Sequence, residues 1–156
     1  MDLNFRQAVS SDLEWLFDMY KRTMRVLVSQ VIGWDEDSQR AGFAKSVRQG
    51  ACQIVRYEGK RCGFVHWEVE PDLVWLRMLC IVPDMQHKSI GSQVMAKVMS
   101  LSRHLQKPLH LHVFVCNRSA YAWYRKLGFV EIENDGRVCM MMFDSSSPSG
   151  MVGQQE

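Results

Sequence analysis

Leu13, Leu16, Phe17, Tyr20, Met24, Leu27 and Val28 recur at helical spacing, so the stretch from Ser10 to Ile32 is expected to lay one apolar stripe on a core. Ser11 and Glu14 ahead of it have capping-box spacing, each side chain able to satisfy a free amide of the first turn. A strand precedes this helix, with Leu3, Phe5 and Val9 apolar. A second helix is expected from about Asp35 to Arg48, with Asp35 as N-cap and Gly50 as the stop. Three strand-like runs follow, "ACQIVRYE", "RCGFVHWEVE" and "DLVWLRMLCIV". Gly59 and Lys60 separate the first two as a hairpin turn, and the three together suit an antiparallel meander.

The last of these runs ends at Pro83 and gives way to a polar loop, "QHKSIGS". Ile90, Val94, Val98, Leu101 and Leu105 then mark a helix. Leu109, Leu111, Val113 and Val115 line one face of another strand, and "SAYAWYRKL" is a short helix stopped by Gly128. "FVEIEN" and "RVCMMMF" pair as a hairpin over Asp135 and Gly136. The order is β-α-α-β-β-β-α-β-α-β-β. It describes an α/β (α+β) fold, a mixed and mostly antiparallel sheet flanked by helices, with a parallel crossover through the helix after the polar loop. One domain is expected over residues 1–144, and the Ser/Gly-rich tail over 145–156 is expected to be disordered.

Composition narrows the function classes. The chain has 156 residues, 47% of them hydrophobic, enough for one packed core. A net charge of +2 without a basic run argues against a nucleic-acid partner. No apolar run approaches the roughly 18 residues of a membrane span. The start "MDLNFRQAV" has no apolar signal segment, so a cytoplasmic protein is expected, with no membrane partner. The five cysteines form no CxxC pair and read as buried thiols in a reducing compartment.

A polar loop between a strand and a helix N-terminus is a natural anion cradle. Here Lys88 adds charge, Ser89 and Ser92 add hydroxyls, and Gly91 allows close backbone approach. The alternative is a loop that merely starts a helix. A second segment, "NRSAYAWYRKLGF", follows a later strand. Gln86, Ser89 and Gly91 fit a Q/R-x-x-G-x-G/A loop, and Asn117, Ala120, Tyr124, Gly128 and Phe129 fit an Asn-x-x-Ala-x-x-x-Tyr-x-x-x-Gly-Phe segment. Together, in this order and on this element pattern, they resemble the GNAT superfamily of N-acetyltransferases over about residues 3–143.

The resemblance implies an acyl-CoA-dependent N-acyltransferase, with acetyl-CoA as the default cofactor and a small-molecule or peptide amine as acceptor. It implies that the backbone of Leu79, Cys80 and Ile81 pairs with the pantetheine arm. It implies that Gln86, His87, Lys88, Ser89, Ile90, Gly91 and Ser92 wrap the pyrophosphate and that Asn117 lies beside the pantetheine end. Tyr124 would be the general acid for the departing thiolate. Ser89 departs from the family, which has its first glycine there. If that position needs φ > 0, serine costs roughly 1 kcal/mol; otherwise its hydroxyl adds a phosphate contact.

The acceptor amine must lose a proton, because a lysine-like amine has a pKa of about 10.4. Related enzymes often use a Glu five residues before the Asn. That position is His112, the candidate general base, directly or through water; an ordinary His, with a pKa of about 6.5, is largely neutral at pH 7. His110 shares its strand face. The pair has no third ligand at a useful spacing, so no metal is expected. Glu68, Glu70 and Arg77 are further acceptor-side candidates. Arg77 is read either as an ion pair with Glu68 or Glu70 or as a clamp for a substrate carboxylate. Trp34, Glu36 and Gln39 would form one wall of the acceptor pocket, and Trp34 beside Asp35, Glu36 and Asp37 would suit a cation. The alternatives are a core-anchoring Trp and a solvated helix start. A sensor or accessory subunit that binds acyl-CoA without transferring it is the rival function, and a protein-modifying enzyme acting on N-termini or lysines is a third. Met140, Met141 and Met142 read either as an exposed edge supporting a homodimer or as a buried strand.

Overall fold

The computed structural model describes residues 3–86 and 89–146. Its elements follow the expected order: β1 (Leu3–Gln7), α1 (Leu13–Val31), α2 (Glu36–Val47), β2 (Ala51–Tyr57), β3 (Lys60–Val69), β4 (Val74–Ile81), α3 (Ile90–Leu105), β5 (Leu109–Phe114), α4 (Arg118–Leu127), β6 (Val130–Asn134) and β7 (Val138–Phe143). The strands form a seven-stranded sheet in the order β1-β2-β3-β4-β5-β7-β6. The chain divides into two compact units, Met1–Glu68 with Leu76–Ala96, and Val69–Trp75 with Lys97–Glu156.

In the first unit β1, β2 and β3 run antiparallel, with Leu3 opposite Tyr57 and Ala51 opposite Trp67. The hairpin turn between β2 and β3 is Glu58–Gly59, one residue earlier than the sequence suggested, and both residues have positive φ (50° and 82°). That is the twist a two-residue hairpin prefers, and glycine supplies half of it without strain. The stripe of α1 buries Leu16, Phe17 and Met19 against Phe43 of α2 and against Cys52, Ile54, Phe64 and Cys80 of the sheet. Ring packing fixes the layer: Tyr20 and Phe43 lie 5.0 Å apart, Phe17 and Phe43 5.7 Å. Truncating a buried Phe in such a layer costs about 3–5 kcal/mol.

The start of α1 differs from the expected capping box. Asp12, buried, accepts the Val9 amide at 2.8 Å and both guanidinium nitrogens of Arg6 at 3.0 Å. The Arg6 hydrogen bonds, followed by the Val9 amide, hold its carboxyl below the usual carboxylate range against the opposing effect of burial. Glu14 instead points to Arg40 of α2 at 2.9 Å. Asp35 caps α2 as expected, accepting the Ser38 amide at 3.2 Å.

In the second unit β7 pairs with β5 on one side and β6 on the other. The exposed-edge reading of the methionines is therefore corrected: β7 is internal, Met141 is fully buried and Met140 and Met142 are partly covered. The sheet edge is β6, a strand exposed along its length and bulged between Glu131 and Glu133. Leu109, Leu111 and Val113 face inward as expected, whereas Val115 lies beyond β5 and is exposed. Asp135 accepts the amides of Arg137 and Val138 at 2.9 and 2.8 Å, closing the β6–β7 hairpin. Four cysteines are buried and free, and Cys116 is exposed and free. The tail from residue 147 onward lies outside the described residues.

Candidate functional site

The first unit carries the strand end and the polar loop. Glycine at position 63 lets β3 approach β4, because a Cβ there would collide with the Cys80 carbonyl and come within 2.9 Å of the Ile81 side chain. The Val82 amide donates to Cys62 O at 2.7 Å and ties the strand end down. Leu79, Cys80 and Ile81 thus end β4 on a fixed backbone. The Cys80 thiol is buried beside Thr23, whose hydroxyl reaches its Sγ at 3.2 Å, and burial pushes it up to about 11. It stays a neutral thiol at pH 7, so this residue brings main-chain groups rather than a nucleophile.

After Pro83 the chain makes a tight helical turn, and the Gln86 side chain folds back, donating from Nε2 to Ile81 O at 3.0 Å. The glutamine of the loop pattern therefore fastens the loop to β4. His87 and Lys88 lie outside the described residues. Ser89 has φ +62°, the left-handed conformation that glycine adopts without penalty. Its carbonyl accepts the Gln93 amide at 3.2 Å and begins α3. The amides of Ile90, Gly91 and Ser92 fall in the first turn, where an α-helix offers no acceptor of its own.

The second unit carries α4 and the histidine strand. Asn117 is the N-cap, its side chain accepting the Ala120 amide at 3.4 Å. Gly128 ends the helix at φ 106°, and the Phe129 amide returns to Tyr124 O at 3.0 Å. Phe129 is buried and touches the ring of Tyr124 at 5.7 Å, while Trp123 flanks Tyr124 at 5.3 Å. Packing thus orients a half-buried phenol. On β5 His112 is exposed, opposite Met140 of β7. Its imidazole stacks on Trp75 of β4, centroids 4.9 Å apart at 28°. His110 meets the same indole edge-on at 5.4 Å and 73°. Its Nδ1 is buried with no hydrogen-bond partner among the described residues. Burial, then the neighbouring His112, pushes the His110 pKa down, and Glu70 opposes them.

The acceptor-side candidates of the first unit are already engaged, in two separate groups. Trp34 donates to Glu36 Oε1 at 3.0 Å and packs on Phe17 and Tyr20 at 6.4 and 6.0 Å. Lys21 holds Glu36 Oε2 at 2.8 Å, and Arg40 stands 3.7 Å from the same oxygen. These contacts, Lys21 first and Trp34 second, keep the Glu36 pKa low. Gln39 accepts the Tyr20 hydroxyl at 2.8 Å. Arg25 lies over the Trp34 ring at 6.0 Å, so a cation is already there. Arg77 pairs with Glu68, Nε to Oε1 at 3.3 Å, which is the ion-pair alternative.

Two residues escaped the sequence reading. Trp75 looked like one apolar letter in a strand and proves to be the ring against both histidines. His66 is fully buried, its Nε2 2.6 Å from Gln49 O. A carbonyl accepts only, so Nε2 carries the proton, and burial lowers the pKa and keeps the ring neutral. The apolar run "GFVHWEV" around it was the available signal.

Comparison with known proteins identifies the scaffold. The PaiA N-acetyltransferase of Thermoplasma acidophilum, solved in complex with coenzyme A, superimposes with a TM-score of 0.75 at 18% identity, over 92% of this chain and 99% of that one. The ribosomal-protein-S18-alanine N-acetyltransferase of Escherichia coli gives 0.72 at 20% identity, over 95% and 97%. Ard1 of Thermoplasma volcanium gives 0.70 at 14%, over 91% and 97%. At these identities the likeness speaks for the fold. No curated protein sequence matches the chain. The acetyltransferase (GNAT) family profile matches residues 13–129, three quarters of the chain and both motif segments, and the chain belongs to that family.

Proposed function

We propose that this chain transfers an acetyl group from acetyl-CoA to the nitrogen of a primary amine within a ternary complex. The observation that carries the reading is the local build of the two motif segments: a loop fastened by Gln86 that delivers the first-turn amides of α3, and an α4 whose Asn117 and Gly128 ends frame Tyr124. The family membership fits the same chemistry.

In this reading the main chain of Leu79, Cys80 and Ile81 pairs with the pantetheine arm as an added strand. The amides from Gln86 to Ser92, with Lys88, take the pyrophosphate, and Asn117 lies beside the pantetheine end. The neutral amine attacks the thioester carbonyl, and β4 amides stabilise the oxyanion. The C–S bond breaks as Tyr124 gives its proton to the sulfur. His112, or a water it holds, takes the proton from the amine nitrogen. Much of the rate gain comes from holding donor and acceptor in line. Trp34, Glu36 and Gln39 form a wall of the acceptor pocket rather than a cation cage, since Arg25 and Lys21 already supply positive charge there.

The test is a mass-spectrometric screen of acetyl-CoA with pools of amino acids, polyamines, aminoglycosides and short peptides. Products one acetyl group heavier, lost in Tyr124→Phe, support the reading and name the acceptor class. Mass detection avoids a thiol dye, which the exposed Cys116 would consume. A second reading, a sensor that binds acyl-CoA without consuming it, is favoured by the left-handed Ser89 at a glycine position and by His112 where related enzymes carry Glu. Bound CoA with no acetylated product from any pool would favour it.

A further inference from the structure

We propose that Trp75 is the positioning residue for His112, its indole face holding the imidazole in one plane on the exposed side of β5. The inference rests on the reading of His112 as the base. An exposed histidine on a strand has two soft torsions and no intrinsic reason to keep one orientation. Here an indole lies 4.9 Å away and close to parallel, which is a stacked geometry. The opposite residue on β7 is Met140, which has no fixed polar group to orient an imidazole. The same indole holds His110 edge-on, so one side chain sets both rings.

The charged surroundings give this arrangement a chemical consequence. Titratable groups near the pair include Glu70 ahead of β4, which acts on His110, and Lys107, which donates from Nζ to Glu70 O at 2.8 Å. From β7 the cross-strand neighbours of His112 and His110 are Met140 and Met142, which carry no charge. His110 is disfavoured as a cation by burial and by its neighbour. An imidazolium formed at His112 would lie against the indole π face, which attracts a cation. An aliphatic residue at position 75 would leave His112 in the chain without the indole face that stacks on it.

The experiment compares wild type, Trp75→Phe, Trp75→Leu, His112→Ala and the double variant Trp75→Leu with His112→Ala, all as the full chain. Histidine Cε1–H signals are read by NMR, with His112 assigned by its loss in His112→Ala. The wild-type His112 signal is expected upfield under the indole ring current, and near that of a free histidine in Trp75→Leu. Turnover of acetyl-CoA with the amine pools is then followed against pH. A general base contributes roughly a hundredfold or more, and losing its orientation should cost a part of that, about tenfold in kcat at pH 7. The KM for acetyl-CoA should not move, and the deficit should shrink as pH rises and the amine deprotonates unaided. Trp75→Phe keeps a ring and should keep most of the rate. In the His112→Ala background the Trp75 change should cost nothing further.

A wild-type His112 signal without an upfield shift overturns the proposal. So does a Trp75→Leu deficit that is equal at every pH or fully additive with His112→Ala, the mark of a merely structural role. If Trp75→Leu does not fold, Trp75→Met and Trp75→Phe carry the same comparison. Full turnover in His112→Ala would instead sink the base assignment, and the ring-current result would then stand apart from it.

Discussion

Helices α3 and α4 each follow a strand and each carry one motif segment, yet their ends are built differently. α4 starts on an Asn whose side chain caps it and stops on a left-handed Gly. α3 is bracketed by Ser89 at φ 62° and Gln106 at φ 56°, both left-handed and neither glycine. After Gln106 the turn closes as it would on a glycine, with the Lys107 amide returning to Ser102 O at 3.1 Å. One helix thus has residues that fit its backbone, and the other holds its backbone in spite of its residues. The second case requires tertiary packing to supply the difference, and α3 has it: Ile90, Val94, Met95, Val98 and Met99 are buried. α4 buries no residue fully and leans on its caps.

The largest expected effect separates chemistry from binding. Tyr124→Phe leaves both α4 caps and the Phe129 contact in place, so fold and CoA affinity should stay near wild type. Turnover should fall at least about 100-fold for loss of a general acid, some 3 kcal/mol of barrier. Steady-state kinetics with calorimetric CoA binding checks it; unchanged kcat would remove Tyr124 from the mechanism. Next comes Gly128→Ala. A Cβ in the left-handed region costs about 1–2 kcal/mol, and with no deep burial to absorb it α4 should lose stability. At roughly 2–4 °C per kcal/mol for a chain of this size, the melting temperature should drop by several degrees. Asn117→Ala removes the cap and should cost about 1 kcal/mol or less, while Asn117→Asp should restore it, since an acid also suits the helix N-terminus. Equal melting temperatures for the Ala and Asp variants would mean that Asn117 does not cap α4 in solution.

The same contrast explains what could be read from the letters. Local signals survived: the α4 ends, the Asp35 cap and the Asp135–Gly136 hairpin all depend on residues within a few positions of one another. The β2–β3 turn slipped by one residue because Glu58, Gly59 and Lys60 offer two overlapping turn pairs and only φ distinguishes them. Ser11 and Glu14 offered a local cap, but the carboxylate that ties down the helix start is Asp12, which accepts the Val9 amide ahead of α1 and is stabilised by Arg6 from β1, a partner no local rule names. Likewise Trp34 and Glu36 were found as a pair, whereas Lys21 and Arg25, which set their charge, arrive from α1. The stack of Trp75 on His112 depends on which residues of two separate strands face each other, and alternation within each strand leaves that register open. Nothing in a serine itself predicts positive φ; at Ser89 only the family glycine at that position raised it, as one of two alternatives.

The smallest effect sharpens the comparison most. Ser89→Gly and Gln106→Gly each relieve a left-handed non-glycine residue, worth about 1–2 kcal/mol, against roughly 0.5–1 kcal/mol of extra unfolded-state entropy. Each should therefore stabilise the protein by up to about 1 kcal/mol, a rise of a few degrees in melting temperature. Gln106 lies at the far end of α3 from the polar loop, so its glycine variant should leave CoA affinity untouched and serves as the reference. Ser89 sits at the helix start assigned to the pyrophosphate. If its hydroxyl contacts a phosphate, Ser89→Gly will melt higher yet bind CoA more weakly, by about 1 kcal/mol for one hydrogen bond. If the hydroxyl only tolerates the position, stability will rise without loss of affinity. A Ser89→Gly variant that melts below wild type would show that Ser89 is not left-handed in solution, and the difference between the two helices would shrink to their C-terminal ends.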